Sequence, residues 1–300
     1  MLARFQRFAV LVVVVAVMLW LWFLAASASR EVWQWLVLPL IVLPHALVLA
    51  LEFALLGFFG RSAPAPHPAP LQLAVAWWGE VWNGVAVFGW RQPWASNSIP
   101  DAVSAAPLAG RRGVVLVHGF VCNRGLWNPW LRRLRKRRLA FVAVNLEPVL
   151  GSIDDYVPLI DAAIAQVYRA TGLAPVVVAH SMGGLATRAW MQWAADDARV
   201  HRVITIGTPH HGTWLGRFAL SANGRQMSLN SAWIARLAAQ EPASRHAAFT
   251  CFFGHCDNIV FPAATAMLEG ADNRHLTGVA HVAMVHAPDV YRELERWLDE

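Results

Sequence analysis

The chain has few charged residues for its length. They make up 15% of its 300 residues, whereas an ordinary soluble domain carries about 25%. Hydrophobic residues make up 57%, and the excess is concentrated before residue 60. This uneven shortage of charge argues against one soluble domain throughout. It predicts a membrane segment attached to a more ordinary domain.

Cysteine is also scarce, with only Cys122, Cys251 and Cys256. An odd and small number does not describe a disulfide framework, and none of the three lies in the C-x-x-C spacing of metal sites. Pairing of Cys251 with Cys256 stays open. No calcium- or zinc-binding constellation is visible either, so we expect no metal and no cofactor.

The net charge of +6 would suit a nucleic-acid-binding protein, but no known reader motif accompanies it. The densest basic run most often forms a solvated helix face. Beside a membrane segment it would also attract anionic lipid, at about 1 kcal/mol per residue held near the surface. We therefore predict no nucleic-acid partner. The run consists of Arg132, Arg133, Arg135, Lys136, Arg137 and Arg138.

Residues 8–28 contain no charged side chain. A helix of this length spans a hydrocarbon core of about 30 Å. Arg4 and Arg7 precede it, which predicts a cytoplasmic N-terminal end. Ala26-Ser27-Ala28 resembles a signal-peptide cleavage site, yet the apolar stretch exceeds the about 7 to 15 residues of a signal peptide. We favour an uncleaved anchor and keep the cleaved signal as the alternative.

A second apolar stretch runs from residue 32 to residue 59, with Trp33 and Trp35 where an aromatic belt would lie. His45 and Glu52 are seven residues apart and share a helix face. An ionisable pair within a membrane is unusual. We interpret both side chains as facing the first helix and hydrogen-bonding there. The alternative is a functional site within the membrane.

These patterns predict three regions: a membrane anchor of two transmembrane helices at 1–60, a linker and collar at 61–110, and a catalytic domain at 111–300. Alternating proline and alanine at 61–70 predict a semi-rigid spacer. The Trp-rich residues 71–90 predict a helix against the membrane or the catalytic domain, with aromatic core packing as the alternative. We expect no chemistry there. If both apolar stretches span the membrane, the catalytic domain is cytoplasmic; if the second lies in the interface, the domain is outside.

From Gly113 onward, short β-branched runs alternate with helical stretches. Such alternation predicts an α/β fold with a mostly parallel sheet covered on both faces. Ligands of such sheets bind beyond the carboxyl ends of the strands. The predicted strands are Val114–Val117, Phe141–Val144, Val176–Val178, Val203–Ile206 and Ala248–Phe253, and the closing helix is Asp289–Leu298.

A serine stands at the turn between the third predicted strand and the next helix. The turn reads His180-Ser181-Met182-Gly183 after Ala179. A serine lifted above a sheet on such a sharp turn needs small residues two positions before and after it, here Ala179 and Gly183. Ser181 is therefore the predicted nucleophile. A serine that only caps the helix is the alternative.

An alcohol needs a base to remove its proton. In sheets of this kind the chain order is serine, then an acidic residue, then histidine. Asp257 follows the fifth strand, and His281 precedes the closing helix, so we assign them as acid and base. The rivals are Asp272 as the acid and His275 or His286 as the base.

The negative oxygen formed during acyl transfer needs two backbone N–H donors. Met182, directly after the nucleophile, supplies one. The second comes from the loop after the first strand, where we assign Phe120. Gly119 lets the backbone approach closely, and His118 braces this loop.

Three motifs together resemble the bacterial triacylglycerol lipase and esterase family of the α/β-hydrolase superfamily. The resemblance covers residues 113–290 and implies the α/β-hydrolase fold and ester hydrolysis. It also implies that the third motif borders the active site, so that His210 and His211 are scaffold rather than metal ligands. The motifs are Val117-His118-Gly119-Phe120, Ala179-His180-Ser181-Met182-Gly183-Gly184 and Gly207-Thr208-Pro209-His210-His211-Gly212-Thr213.

Residues 213–245 lie between two predicted strands and mix apolar with polar residues. They predict either a wall of an acyl groove, a lid or a plain helical excursion. The apolar candidates for such a wall or lid are Trp214, Leu215, Phe218, Leu220, Met227, Trp233 and Leu237.

The sequence thus predicts a serine hydrolase of lipid or other hydrophobic esters, anchored in a bacterial inner membrane with its catalytic domain in the cytoplasm. A phospholipase, thioesterase or acyltransferase on the same triad is the alternative among enzymes. A non-catalytic membrane scaffold and a transporter component using His45 and Glu52 are alternatives from other classes. The acyl chain, the head group, the substrate-binding residues and the oligomeric state stay open.

Overall fold

The computed structural model of the chain describes residues 1–27, 37, 39–41, 43–61, 64–103 and 109–300. The predicted aromatic belt at Trp33 and Trp35 lies outside these residues, and so does part of the second apolar stretch. The described chain consists of apolar helices at the N-terminal end, followed by one sheet with helices on both faces.

Among the described residues, four helices with defined bounds precede the sheet: α1 (Leu2–Ala26), α2 (Pro44–Phe59), α3 (Pro70–Gly84) and α4 (Gln92–Ala95). The π-helical turn Val85–Arg91 joins α3 to α4. Proline stands in the first turn of α2, α3 and α4, where its missing N–H has no helical partner in any case. Within the described residues, α1 is the one helix long and apolar enough to cross a membrane, and α2 is shorter. The predicted hairpin of two spanning helices is therefore not shown.

The inner face of α2 packs on the catalytic domain. Phe53 and Leu56 are buried in one apolar cluster with Phe261 from that domain, and the Glu52 carboxylate accepts a hydrogen bond of 2.7 Å from Asn258 Nδ2. The interpretation that His45 and Glu52 hydrogen-bond to the first helix is therefore wrong for Glu52. This face of α2 buries its apolar side chains on the domain, and Glu52, next to Phe53, points toward the domain as well.

The sheet contains six strands, all paired in parallel. Their order across the sheet is β2-β1-β3-β4-β5-β6. This confirms the predicted α/β fold with a parallel sheet. The polar sixth strand was not predicted from the sequence. The bounds are β1 Val114–Val117, β2 Phe141–Val144, β3 Val176–His180, β4 Arg202–Ile206, β5 Phe249–Gly254 and β6 Asp272–Leu276.

Alternate side chains of the central strands enter two separate cores, because neighbouring residues of a strand point to opposite faces. Val115 and Val117 of β1 belong to one core, whereas Val114 and Leu116 belong to the other. Strands buried on both faces need continuous apolar runs, which is why β1 reads Val-Val-Leu-Val. The covering helices are α5 Asn128–Lys136, α6 Val157–Thr171, α7 Met182–Ala194, α8 Ala222–Gln226, α9 Ala232–Gln240 and α10 Pro288–Asp299.

Parallel strands bring their carboxyl ends to one edge of the sheet. The loops after β1, β3, β5 and β6 therefore meet there. Helices α2 and α3 lie over this edge, since both contribute residues to a cavity shared with these loops. We refer to α2, α3 and the π-helical turn together as the cap.

Candidate active site

Ser181 occupies the sharp turn between β3 and α7. Its backbone has φ 55° and ψ −129°, a conformation that costs a residue with a side chain free energy and that persists only when the surroundings impose it. The Ser181 N–H donates to the carbonyl of Ile206 at 2.9 Å. The Ser181 carbonyl accepts from Thr208 Oγ1 at 2.9 Å. Both contacts pin the turn to the end of the neighbouring strand β4.

Two glycines allow this turn to sit close to the loop after β1. A Cβ on Gly183 would lie 2.6 Å from the carbonyl oxygens of Val117 and His118. A Cβ on Gly119 would lie 2.7 Å from the Cβ of Ser181. Real Cβ atoms are not found that close to other atoms, so larger residues would push the loop away from the serine.

Asp257 and His281 lie together as the sequence predicts. The distance from His281 Nδ1 to Asp257 Oδ2 is 2.9 Å. The other carboxylate oxygen, Oδ1, accepts from the N–H groups of Ile259 at 2.9 Å and Val260 at 2.8 Å. Both side chains are buried. Burial lowers the pKa of His281, but the carboxylates of Asp257, Glu80 and Glu52 together outweigh it, and the pKa lies above its ordinary value.

One cavity of about 310 Å³ contains the side chains of both Ser181 and His281 in its wall. Gly119 and Phe120 from the loop after β1 also line it. Its opposite wall comes from the cap rather than from residues 213–245, none of which lines it. The cap residues in the wall are His45, Val48, Leu49, Glu52, Glu80, Gly84 and Phe88.

The loop after β1 is held by His118. His118 Nε2 accepts a hydrogen bond of 3.1 Å from the N–H of Leu146, so Nδ1 carries the proton and donates to the Gly119 carbonyl at 2.9 Å. Burial lowers the pKa of His118 to about 4, which keeps the ring neutral. Phe120 follows at the cavity wall, and Met182 is buried at the start of α7. The two assigned donors thus flank Ser181.

The rival acid and bases lie elsewhere. Asp272, in β6, forms an ion pair of 2.6 Å with Arg274. His275 Nε2 is 2.8 Å from His255 Nδ1. His286 is bound by Arg91, and none of these three rivals lines the cavity.

His210 is part of a buried scaffold. Arg188 Nη1 donates to its carbonyl at 3.0 Å, and Arg188 forms an ion pair of 2.5 Å with Glu241. In the part of the chain that the structure describes, no group of three or more His, Cys, Asp or Glu residues is arranged to hold a metal. Cys251 and Cys256 are both free, which closes the possibility of a disulfide between them.

Residues 213–245 form a plain helical excursion. Met227, Trp233 and Leu237 are buried in the main core, and Trp214 stacks on Phe59 of α2 at 4.4 Å between ring centroids. This segment therefore packs against the C-terminal end of α2.

The expectation that residues 71–90 carry no chemistry misses Glu80. This residue is 2% exposed and lines the cavity beside His281. A signal was present in the sequence: Glu80 is the one charged residue in 71–90, and Glu52 is the one charged residue in 32–59. A lone carboxylate in an apolar segment must find hydrogen-bond donors when it is buried.

Comparison with known proteins matches residues 114–299 to the model of the alpha/beta hydrolase family. Among solved structures, the mature form of the Bacillus licheniformis lipase BlEst2 is similar with a TM-score of 0.57 and 18% identity, over 66% of this chain and 96% of that one. Aspergillus fumigatus lipase B is similar with a TM-score of 0.52 and 22% identity, over 60% of this chain and 49% of that one. Identities this low show a shared fold.

No curated protein matches the chain in sequence. The family match begins at residue 114 and therefore does not include the cap. The predicted division into regions at residues 60 and 110 stays a prediction.

Proposed function

Because the chain belongs to the alpha/beta hydrolase family, we propose that it is a membrane-anchored serine hydrolase that cleaves carboxylic esters of lipids. One observation carries this proposal. The hydrogen-bonded pair Asp257 and His281 shares a cavity with Ser181, which stands on a strained turn between β3 and α7.

The reaction follows from these positions. His281 removes the proton of Ser181 Oγ as the oxygen attacks the ester carbonyl, and Asp257 keeps the imidazole oriented and stabilises its positive charge. The N–H groups of Phe120 and Met182 hold the negative oxygen. His281 then protonates the departing alcohol, which leaves an acyl group on Ser181. His281 then deprotonates a water molecule that attacks the acyl group, and it returns this proton to Ser181 Oγ as the acid leaves.

The walls of the cavity favour a hydrophobic substrate. They include Val48 and Leu49 of α2, Phe88 of the π-helical turn, and Phe120 and Ile259 of the catalytic domain. A volume of about 310 Å³ lies at the small end of ligand pockets. It suits one acyl chain with its ester group, as expected for a lipase or esterase. The two structural neighbours are lipases by name.

The outer face of the cap supports attachment to a membrane. Helix α3 turns its small residues and Glu80 toward the catalytic domain, and it exposes an apolar stripe at a spacing of three to four residues on the other side. Large exposed apolar stripes mark contact with a partner or a membrane. Bilayer contact is favoured because α1, the candidate span, packs against the π-helical turn and α4, which directly follow α3 in the chain. The stripe consists of Leu71, Val75, Trp78, Trp82 and Val85, all more than half exposed.

The first turns of α1 support a cytoplasmic catalytic domain. The side chain of Gln6 donates to Gln92 Oε1 at 2.8 Å, and Arg7 donates to the Pro93 carbonyl and lies over the Trp94 ring. These contacts place the N-terminal end of α1 beside the catalytic domain. Both lie on one side of the membrane only if the chain crosses back between the end of α1 and the helices that pack on the domain, as the predicted hairpin requires. Arg4 and Arg7 favour the cytoplasmic side for that end. We infer an uncleaved anchor in a bacterial inner membrane.

The test is hydrolysis of nitrophenyl esters of increasing chain length by the detergent-purified full chain, with Ser181→Ala as the matched variant. We expect turnover that disappears in Ser181→Ala, with longer acyl chains preferred. Labelling by a fluorophosphonate, which reacts only with an activated serine, separates the hydrolase from a scaffold. Equal activity in both proteins would refute the assignment of Ser181. Absence of labelling in the wild type would favour the scaffold.

A further inference from the structure

Four backbone groups in the loop 281–283 have hydrogen-bond partners on other segments of the chain. The His281 N–H donates to Asn258 Oδ1 at 3.3 Å, and the His281 carbonyl lies 3.2 Å from His180 Nε2. The N–H groups of Val282 and Ala283 donate to the two carboxylate oxygens of Glu80 at 2.7 and 3.1 Å. The position of the imidazole is therefore determined by what holds this short loop.

Two of these contacts lead to the cap. Glu80 belongs to α3 and is 202 positions from Val282 in the chain. Asn258, which holds the His281 N–H, in turn donates to Glu52 of α2 at 2.7 Å. Neither glutamate lies within residues 114–299, which match the family. The loop that carries His281 is thus anchored by helices outside the part of the chain that matches the family.

If positions 80 and 52 served only for packing, a carboxylate there would lower the stability of the fold relative to an apolar side chain. Burial removes the hydration of the carboxylate, raises the pKa of Glu80 to about 7 and also raises the pKa of Glu52. An ionised carboxylate, however, offers acceptors to two N–H groups at once and adds negative charge beside the imidazole. A glutamine could accept only through its one carbonyl oxygen.

The geometry points to Glu80 and Glu52 as positioning residues for the ester hydrolysis proposed above, on which this inference rests. They hold the loop that carries His281, and their charge stabilises the imidazolium that forms when Ser181 loses its proton. Neither residue exchanges a proton or a bond with the substrate. The cap is therefore part of the catalytic apparatus as well as a lipid-facing surface.

The charged and titratable groups around His281 come from four elements. Asp257 follows β5, His180 ends β3 and Glu80 lies on α3. Glu52 and His45, which also lines the cavity, lie on α2. The three carboxylates raise the pKa of His281 against the effect of burial. Removal of a cap carboxylate should therefore lower the pKa of His281. The rate rises with pH as His281 loses its proton, so this ascending limb of the pH–rate profile should move to lower pH.

The test uses the full chain in detergent with a soluble short-chain nitrophenyl ester. For Glu80→Gln we expect kcat and the rate of fluorophosphonate labelling to fall by up to about 100-fold, as expected when a catalytic group is misplaced by about 1 Å. The KM should stay within about twofold, and the ascending limb should shift to lower pH. Glu52→Gln keeps an acceptor for Asn258, so we expect a smaller fall with a shift of the same sign.

Glu269→Gln, the same change on an exposed loop, is the control and should leave both rate and limb unchanged. The inference is overturned if Glu80→Gln and Glu52→Gln keep the wild-type limb, whether or not the rate falls, because a merely structural role predicts no shift. If Glu80→Gln does not fold, the position of the ascending limb in Glu52→Gln alone tests the inference. Failure of the proposed function is a different result, namely wild-type protein that fluorophosphonate does not label.

Discussion

The catalytic domain and the cap bury their carboxylates in different ways. In the catalytic domain, Glu241 is fully buried against the guanidinium of Arg188 at 2.5 Å. In the cap, Glu80 is equally buried but is held by two backbone N–H groups. A guanidinium neutralises the charge of its partner, whereas backbone dipoles satisfy hydrogen bonds and leave the net charge in place. The first arrangement fixes structure, and the second leaves beside His281 a carboxylate that is ionised above its raised pKa of about 7.

The largest loss of kcat should come from substitution of Asp257, the acid that pairs with His281. Asp257→Asn keeps the size of the side chain but favours the wrong imidazole tautomer, so we expect kcat to fall by about 10⁴-fold. The measurement is steady-state hydrolysis of a soluble nitrophenyl ester. Asp272→Asn, in the rival acid on β6, should leave kcat unchanged. Equal losses in both variants would contradict the assignment of Asp257.

Breaking the ion pair of the catalytic domain tests its structural role. Arg188→Met leaves Glu241 buried without a partner, and we expect the free energy of unfolding to fall by about 3–5 kcal/mol. The double variant Arg188→Met with Glu241→Leu should recover most of this loss. Chemical denaturation in detergent measures both. An additive loss in the double variant would show that packing, rather than the unpaired charge, accounts for the effect.

The two regions should respond to pH with opposite sign. The pKa of His118 is about 4 when folded and about 6.5 when unfolded, so its contribution to stability is lost as pH falls from 6.5 to 4. The pKa of Glu80 is about 7 when folded and 4.5 in its ordinary state, so its contribution is lost as pH rises from 4.5 to 7. Each shift corresponds to about 3 kcal/mol across its window.

Unfolding measured between pH 4.5 and 7 separates the two groups. Relative to Glu80→Gln, the wild type should lose stability as pH rises. Relative to His118→Gln, it should gain stability over the same range. A constant difference between wild type and either variant would show that the group does not change its pKa on folding.

The smallest effect should come from the outer surface of the cap. Trp82→Ser removes an exposed ring from the stripe on α3. We expect about a 10- to 150-fold loss of hydrolysis of an ester carried in vesicles, because transfer of one large apolar side chain from water is worth about 1.5–3 kcal/mol. Hydrolysis of a soluble ester should not change. Trp193→Ser on α7, another exposed tryptophan, is the control. Equal losses in the two variants would argue against membrane contact through the cap.

Much of the catalytic domain could be predicted from sequence because its signals are local. The sequence predicts β1 and β2 at their observed bounds, since strands buried on both faces must be apolar throughout. The turn at Ser181 was visible because its geometry demands small neighbours at Ala179 and Gly183. The polar strand β6 was missed because its pairing with β5 at the sheet edge does not require an apolar run.

The cap is different because its role depends on contacts more than 200 positions apart. The sequence alone determined that residues 32–59 and 71–90 are apolar and that each carries one carboxylate, and it determined the order of Ser181, Asp257 and His281. Only the tertiary structure decided that Glu80 reaches the loop of His281 directly and that Glu52 reaches it through Asn258. A buried charge must find donors, but composition does not say which backbone N–H groups the folded chain will bring to it.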